Sequence, residues 1–470
     1  MSAASIGLNR FGYGALYGSS HTKQAELGPQ EYLRKQISQY NPSPALIASR
    51  PKTGGKAGAI ISAIRDARRK RRNAGDENTE GDPREDYRET VRQSAQVFRS
   101  DVALRLKTAV QSETPMAERL VHFWANHFAI SVRKPGTQLE AGELEFSAIR
   151  PHIFGKFSDM LKAASLHPAM LLYLDQFQSV GPNSPFLQRR RRRNNGRDQG
   201  LNENLAREIF ELHTLGVDGG YSQTDVTQFA HALTGWTIPG IARIDQFAQQ
   251  QSGGASFVTM AHEPGARQIM GRTYKEGGAE QALAILDDLA SHPSTARFIA
   301  TKLARHFAGD TPPSVLVDRL AADFQTTNGD LASLTRTLIA SPEVWVDQPV
   351  KYRQPFEWLV SSFRMTGVTN LSDRRIFNVL RELGQVPWQP PSPAGYDDIE
   401  GSWAGPDALF RRVELAERIA RNVPSDDVMV RAQAAFPGAL SDNTRTWLSR
   451  AESGEQALGL LLVAPEMMRR

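Results

Sequence analysis

From Pro115 to Ile130, Met116, Leu120, Phe123, His127 and Ile130 recur at steps of three and four. That period predicts an amphipathic helix with one buried stripe, and His127 falls on the stripe. The same rhythm runs through residues 279–290, 294–307, 330–340, 354–365 and 406–419. Strand signals are sparse. The clearest is "ASFVTM" followed by "RQIMGRTY", which predicts a short hairpin near residues 257–274. The expected class is therefore mainly α: a large irregular multi-helix domain with one small β-hairpin insertion. Three stretches interrupt the periodicity. Residues 50–85 are Gly-, Lys- and Arg-rich and are expected to be mobile, 179–200 carry Gly, Pro and an arginine run, and 384–403 are rich in Pro and aromatics. This divides the chain into an N-terminal helical part (1–178), an Arg-rich loop (179–200) and a C-terminal helical part (201–470), expected to pack with the first as one core.

The densest polar pattern is "NENLAREIFELHTLGVDGGY", residues 202–221. Asn204, Glu208 and Glu211 are spaced i, i+4, i+7 and share a stripe, bordered by Leu205, Ile209 and Leu212, which should face the core. Asn202 suits the N-cap, Glu203 the first turn, Gly216 the C-terminal left-handed position, and Arg207 is placed to pair with Glu211. Capping and pairing explain much of this as a solvated helix. They leave Asn204, Glu208 and His213 without a structural reason, and Glu208 with Glu211 could work as acid and base or hold a divalent cation.

In "ERLVHFWANHF", His122 and Asn126 lie one turn apart, and His127 is on the buried stripe. Histidines five apart sit roughly 140° apart on a helix, which rules out the one-face zinc pair of H-E-x-x-H, although other helices could complete one site around both. In "GGYSQTDVTQFAHALTGW", Ser222 or Thr224 can cap a helix with Asp225 in its first turn, closed by Gly235 before Trp236. His262 and Glu263 precede a turn and are expected to be exposed, with His262 able to serve as a ligand.

Composition narrows the chemistry. The chain has 470 residues and no cysteine, which removes disulfides, thiolate metal sites and a Cys nucleophile. Its net charge of +5 traces to two tracts, Arg65–Arg72 and Gln188–Arg197. These could attract an anionic polymer. Without interleaved aromatics or a nucleic-acid motif, they argue against a nucleic-acid partner. No membrane-spanning run and no signal-peptide pattern are visible, which makes the cytoplasm the default location. Neither a nucleophile elbow, a P-loop nor a dinucleotide fingerprint is present.

"LNRFGYG", "FWANHFAIS", "LLYLDQ", "NENLAREIFELHTLGVDGGYSQTDV", "ALTGW", "HPSTARFIATKLARHFAGD", "KYRQPFEWLVSSFR" and "GQVPWQPPSPAGYDD" together resemble the bacterial family called domain of unknown function 1800. The resemblance covers nearly the whole chain in order. It implies frequent export and a genetic association with a sulfatase-like family, hence a sulfatase-like partner and work on an envelope or extracellular polymer. It carries no catalytic role to any residue. The family tends to have Arg where His231 stands, Asp where Glu263 stands and Trp where Tyr396 stands.

Two functions are expected. One is a hydrolase-like enzyme with Glu208, Glu211, His127 and His213 as catalytic residues between helices. Glu208, Glu211 and His127 would be the metal ligands if a divalent metal assists, and Arg207, Asn204, Asp225, Trp236 and His262 would contribute to binding. The other is a non-catalytic accessory protein that uses its arginine tracts and the aromatic "PWQPPSPAGY" loop.

Overall fold

A computed structural model describes the backbone of residues 1–51, 58, 83–134, 136–192, 200–240, 249–250 and 254–470. Most of the 50–85 segment, including the Arg65–Arg72 tract, lies outside the described residues, as does the end of the second tract. The class is mainly α, as the periodicity predicts.

Six helices position the polar residues. Pro83–Gln111 (α1) and Pro115–His127 (α2) follow one another, with Pro115 starting α2 at a position that needs no N–H partner. Asn204–Glu208 (α3) continues as a π-turn over Ile209–His213. Gln223–Leu233 (α4) begins with the expected cap: Ser222 and Asp225 form a reciprocal capping box. Pro293–Ala308 (α5) is capped by the His292 side chain, and Pro355–Thr366 (α6) ends at left-handed Gly367. Residues 385–398, the Pro-rich segment, cross beside α2, α5 and the start of α6.

The β structure is paired differently from what the sequence suggests. A hairpin does form, from Arg267–Ile269 and Arg272–Tyr274, with left-handed Met270 and Gly271 at its tip. The "ASFVTM" piece does not join it. Ser256–Phe257 pairs antiparallel with Trp236–Thr237 and with Gln249–Gln250 in a separate sheet. A local period of two identifies a strand but not its partner, because registry is set by neighbours elsewhere in the chain.

One cluster of buried apolar side chains runs from Ala4 and Ile6 to Met467 and Met468 and takes members from both sides of the 179–200 segment. That segment is not a loop throughout, since Pro185–Arg192 is helical and buries Leu187 while exposing Arg189 and Arg191.

Ionic groups also lie inside the core. The Glu357 carboxylate is gripped by the guanidinium groups of Arg119 and Arg470. Arg364 donates to the carbonyls of Gly14, Val110 and Ser112, and Arg150 pairs with Glu118. Each guanidinium supplies several fixed donors, enough to satisfy chain carbonyls that no helix or sheet accommodates.

Candidate active site

The π-turn changes the helix on which the sequence placed its site. Widening the last turn of α3 moves its side chains out of the 3.6-residue phase. Phe210 and His213 are consequently buried, while Leu212, expected to face the core, is only partly covered. Arg207 lies between two carboxylates, 3.5 Å from Glu203 and 3.6 Å from Glu211, all partly exposed. Glu203 also accepts from Thr227 and Gln223 of α4, and Asn204 is exposed with its N–H donated to Asn202 Oδ1. Glu208 is half-buried. Burial first, and the Glu211 charge second, hold its carboxyl above the usual range.

The remaining predicted residues scatter. Asp225 is occupied by its capping box and by the Met270 N–H, which ties α4 to the hairpin. Trp236 is buried in the small sheet. His262 and Glu263, expected to be exposed, are both buried. His262 Nδ1 lies 2.9 Å from the Thr234 carbonyl, and Glu263 accepts from the backbone and side chain of Asn183. These contacts are structural ties between neighbouring loops. Glu208, Glu211 and His127 do not assemble as a metal site: among the described residues no group of three or more His, Asp or Glu side chains could hold an ion. Both ring nitrogens of His127 are already engaged, Nδ1 by Lys302 Nζ at 3.1 Å and Nε2 by the His213 carbonyl at 3.1 Å.

His127 instead marks the floor of a cleft of about 220 Å³ between α2, α5, the start of α6 and the 385–398 segment. His122, Asn126 and His127 reach it from α2, and Lys302, Arg305 and His306 from α5. The spacing i, i+3, i+4 puts the last three on one face. The histidines five apart on α2 do share a site, because the cleft wraps the end of that helix.

Asn126 fixes the opposite wall. Its Oδ1 accepts the Tyr396 N–H and its Nδ2 donates to the Tyr396 carbonyl, both at 2.8 Å. Gly395 is left-handed there, and a side chain would meet the Asn126 carbonyl at 2.5 Å, so the wall approaches α2 only through a glycine.

Two imidazoles in this cleft have well-defined proton positions. His306 Nδ1 lies 2.8 Å from Asp398 Oδ2, and Asp398 also receives Lys351 Nζ at 3.1 Å. Burial pushes the Asp398 carboxyl up, but His306, Lys351 and Arg470 override it and hold it well below the usual range. An ionised carboxylate only accepts, so His306 carries its proton on Nδ1 and leaves a lone pair on Nε2. Burial lowers the His306 pKa despite Asp398, which favours the neutral ring.

His122 is arranged the opposite way. Its Nδ1 is 2.6 Å from the Tyr13 hydroxyl, whose own pKa is raised by burial. Tyr13 has no other hydrogen-bond partner among the described residues, so its O–H donates to Nδ1 and the His122 proton sits on Nε2. Burial, with Arg105, Arg150 and Arg119 nearby, keeps this ring neutral too. Both Nε2 atoms are buried without a partner.

None of Tyr13, Arg105, Lys302, Arg305, His306 and Asp398 was singled out by the sequence. The i, i+4 pair Lys302 and His306 lay in plain view in "KLARH". Nothing local connects it to Asp398, 92 residues further on, or to Tyr13 near the start.

A family profile described as "Protein of unknown function (DUF1800)" matches residues 6–469. The chain belongs to this family. No curated protein and no solved structure matches this DUF1800 chain. Its cleft is built from segments spread across the matched region, from Tyr13 to Asp398. Among the described residues of this DUF1800 protein, no helix is long and apolar enough to cross a membrane.

Proposed function

We propose that this protein is a hydrolase-like enzyme whose acid–base centre is the His306–Asp398 and His122–Tyr13 pairs. Asp398 orients His306 so that Nε2 accepts a proton from an attacking water and passes it to the departing group, while the His122 Nε2–H donates a hydrogen bond to the charge that develops between them. One observation carries the reading: two imidazoles line one cleft, each with a buried, partnerless Nε2, one holding a lone pair and the other a proton. The expected site between helices is thereby kept, with His127 at its floor, while the acid–base work moves from Glu208 and Glu211 to histidines. An envelope or extracellular polymer remains the proposed substrate.

The test is nitrogen-detected NMR of protein labelled with ¹⁵N-histidine, with resonances assigned by His306→Gln and His122→Gln. At pH 7 His306 is expected as the Nδ1–H tautomer and His122 as the Nε2–H tautomer. Identical tautomers, or a protonated ring at either position, would remove the basis of the proposal.

A second reading is favoured by one surface feature. Arg189 and Arg191 stand exposed on the Pro185–Arg192 helix. This supports contact with an anionic polymer or a sulfatase-like partner, alongside the cleft or instead of it. Replacing Arg189 and Arg191 by Ser should weaken retention on an anionic polysaccharide without shifting the melting temperature. Unchanged retention counts against this reading.

A further inference from the structure

The cleft carries two cations that the acid–base centre does not use. Lys302 Nζ contacts His127 Nδ1 and lies over the Phe298 ring at 5.4 Å, and no carboxylate is within ion-pair distance among the described residues. Arg305 makes no ion pair or hydrogen bond among them either, and its Nε is buried. Both buried carboxylates lining the cleft are paired elsewhere, and the third stands at its rim. Glu357 is held by Arg119 and Arg470, Asp398 by His306 and Lys351, and Asp397 accepts from the Ser402 hydroxyl at the exposed rim. The third cation on the lining, Arg105, is neutralised by buried Glu145 at 3.0 Å.

Two like charges one turn apart, partly removed from water and facing the same space, are unfavourable unless an anion joins them. A helix C-terminus attracts cations, which gives Arg305 a partial structural reason. That effect is confined to the last turn and works equally well with the side chain in water, so it accounts for neither Lys302 nor the burial of Arg305 Nε. The cleft is also dry enough to matter: burial, aided by the Arg305 charge and only partly opposed by Asp398, brings the Lys302 ammonium down to about 8.

We infer that Lys302 and Arg305 form a subsite for a tetrahedral oxyanion, the phosphate or sulfate group of the substrate, seated beside His306. The inference rests on the enzymatic reading for the word substrate, but the subsite itself is a binding property. Arg305 offers a planar fork of donors and Lys302 a point charge, and together they match a tetrahedral oxyanion. His306, one residue after Arg305 and one turn after Lys302, then faces bonds adjacent to that group.

The experiment is calorimetric titration of the full chain with inorganic phosphate at pH 7.5 and fixed ionic strength, with sulfate and acetate as parallel probes. Phosphate and sulfate should each fill one site. Lys302→Met and Arg305→Met should each weaken binding at least tenfold. Without anion, Lys302→Met should melt higher than the parent chain, because a partly buried charge with no carboxylate partner has been removed. A structural lysine would give the opposite sign. No saturable phosphate binding, binding unchanged in Lys302→Met, acetate binding as tightly as phosphate, or a lower melting temperature for Lys302→Met would each overturn the subsite. Those results leave the acid–base centre untouched, since the histidine tautomers are read separately. Conversely, wrong tautomers with intact phosphate binding would remove the enzymatic reading and keep the subsite.

Discussion

Two polar regions meet at His127, and they are built on different principles. On one side, the Glu203–Arg207–Glu211 ladder is a row of partly exposed ion pairs of 3.5–3.6 Å between residues four apart on one helix. On the other, the cleft gathers groups from distant parts of the chain into buried pairs such as Tyr13–His122 and His306–Asp398. The first is dense in sequence and sparse in energy, since exposed pairs of this kind contribute about 0–1 kcal/mol. The second is almost invisible in sequence, yet burial leaves each of its protons and charges a single arrangement. Polar crowding along a helix is thus a weak guide to chemistry, and burial with an unused atom is a stronger one.

The sharpest way to break the comparison is to remove one charge on each side. Glu357→Ala strands Arg119 and Arg470 without their shared carboxylate, and urea unfolding should show a loss of about 3–5 kcal/mol. A loss below 1 kcal/mol would mean that this interior is far wetter than its burial implies. Next in size is catalysis. Once a turnover assay is found by screening phosphate and sulfate esters, His306→Gln should lower kcat by roughly 10²–10⁴. Glu208→Gln should stay within a fewfold of the parent, and the reverse ranking would return the site to the acidic helix.

The third effect depends on pH. The folded-state pKa of Lys302 is depressed from 10.5 to about 8, so between those values the unfolded chain binds one more proton than the folded chain. Stability contributed at this position therefore rises with pH from about 8 to about 10.5 and is flat outside that window, by on the order of 3 kcal/mol. The difference in unfolding free energy between the parent and Lys302→Met, followed across that range, isolates it, and a flat difference would contradict the burial of Lys302. The smallest effect belongs to the ladder. Glu211→Ala should cost less than about 1 kcal/mol, diminishing further with added salt.

What the sequence made legible follows the range of the interactions. Helices, their proline starts and the Ser222–Asp225 cap were readable because each is settled within about one turn. The burial of His127 was readable from its place on the stripe. The partner of Ser256–Phe257, the burial of His262 and Glu263, and the pairing of His306 with Asp398 depend on contacts tens of residues away. The π-turn at Ile209–His213 lay between these cases. It is local, but a wheel drawn at 3.6 residues per turn assumes it away, and so Leu212 was assigned the burial that Phe210 and His213 receive.

That π-turn has a genetic meaning as well as a geometric one. Relative to an α-helix it is one surplus residue, held in frame by what surrounds it. Deleting Leu212 would regularise the hydrogen bonding of the helix and return its last turn to the 3.6-residue phase, moving His213 off the angle at which the π-turn now holds it. The His213 carbonyl would swing away from His127 Nε2, and the imidazole beneath the cleft would lose the acceptor that sets its tautomer. A shorter, more regular helix would be the worse one here.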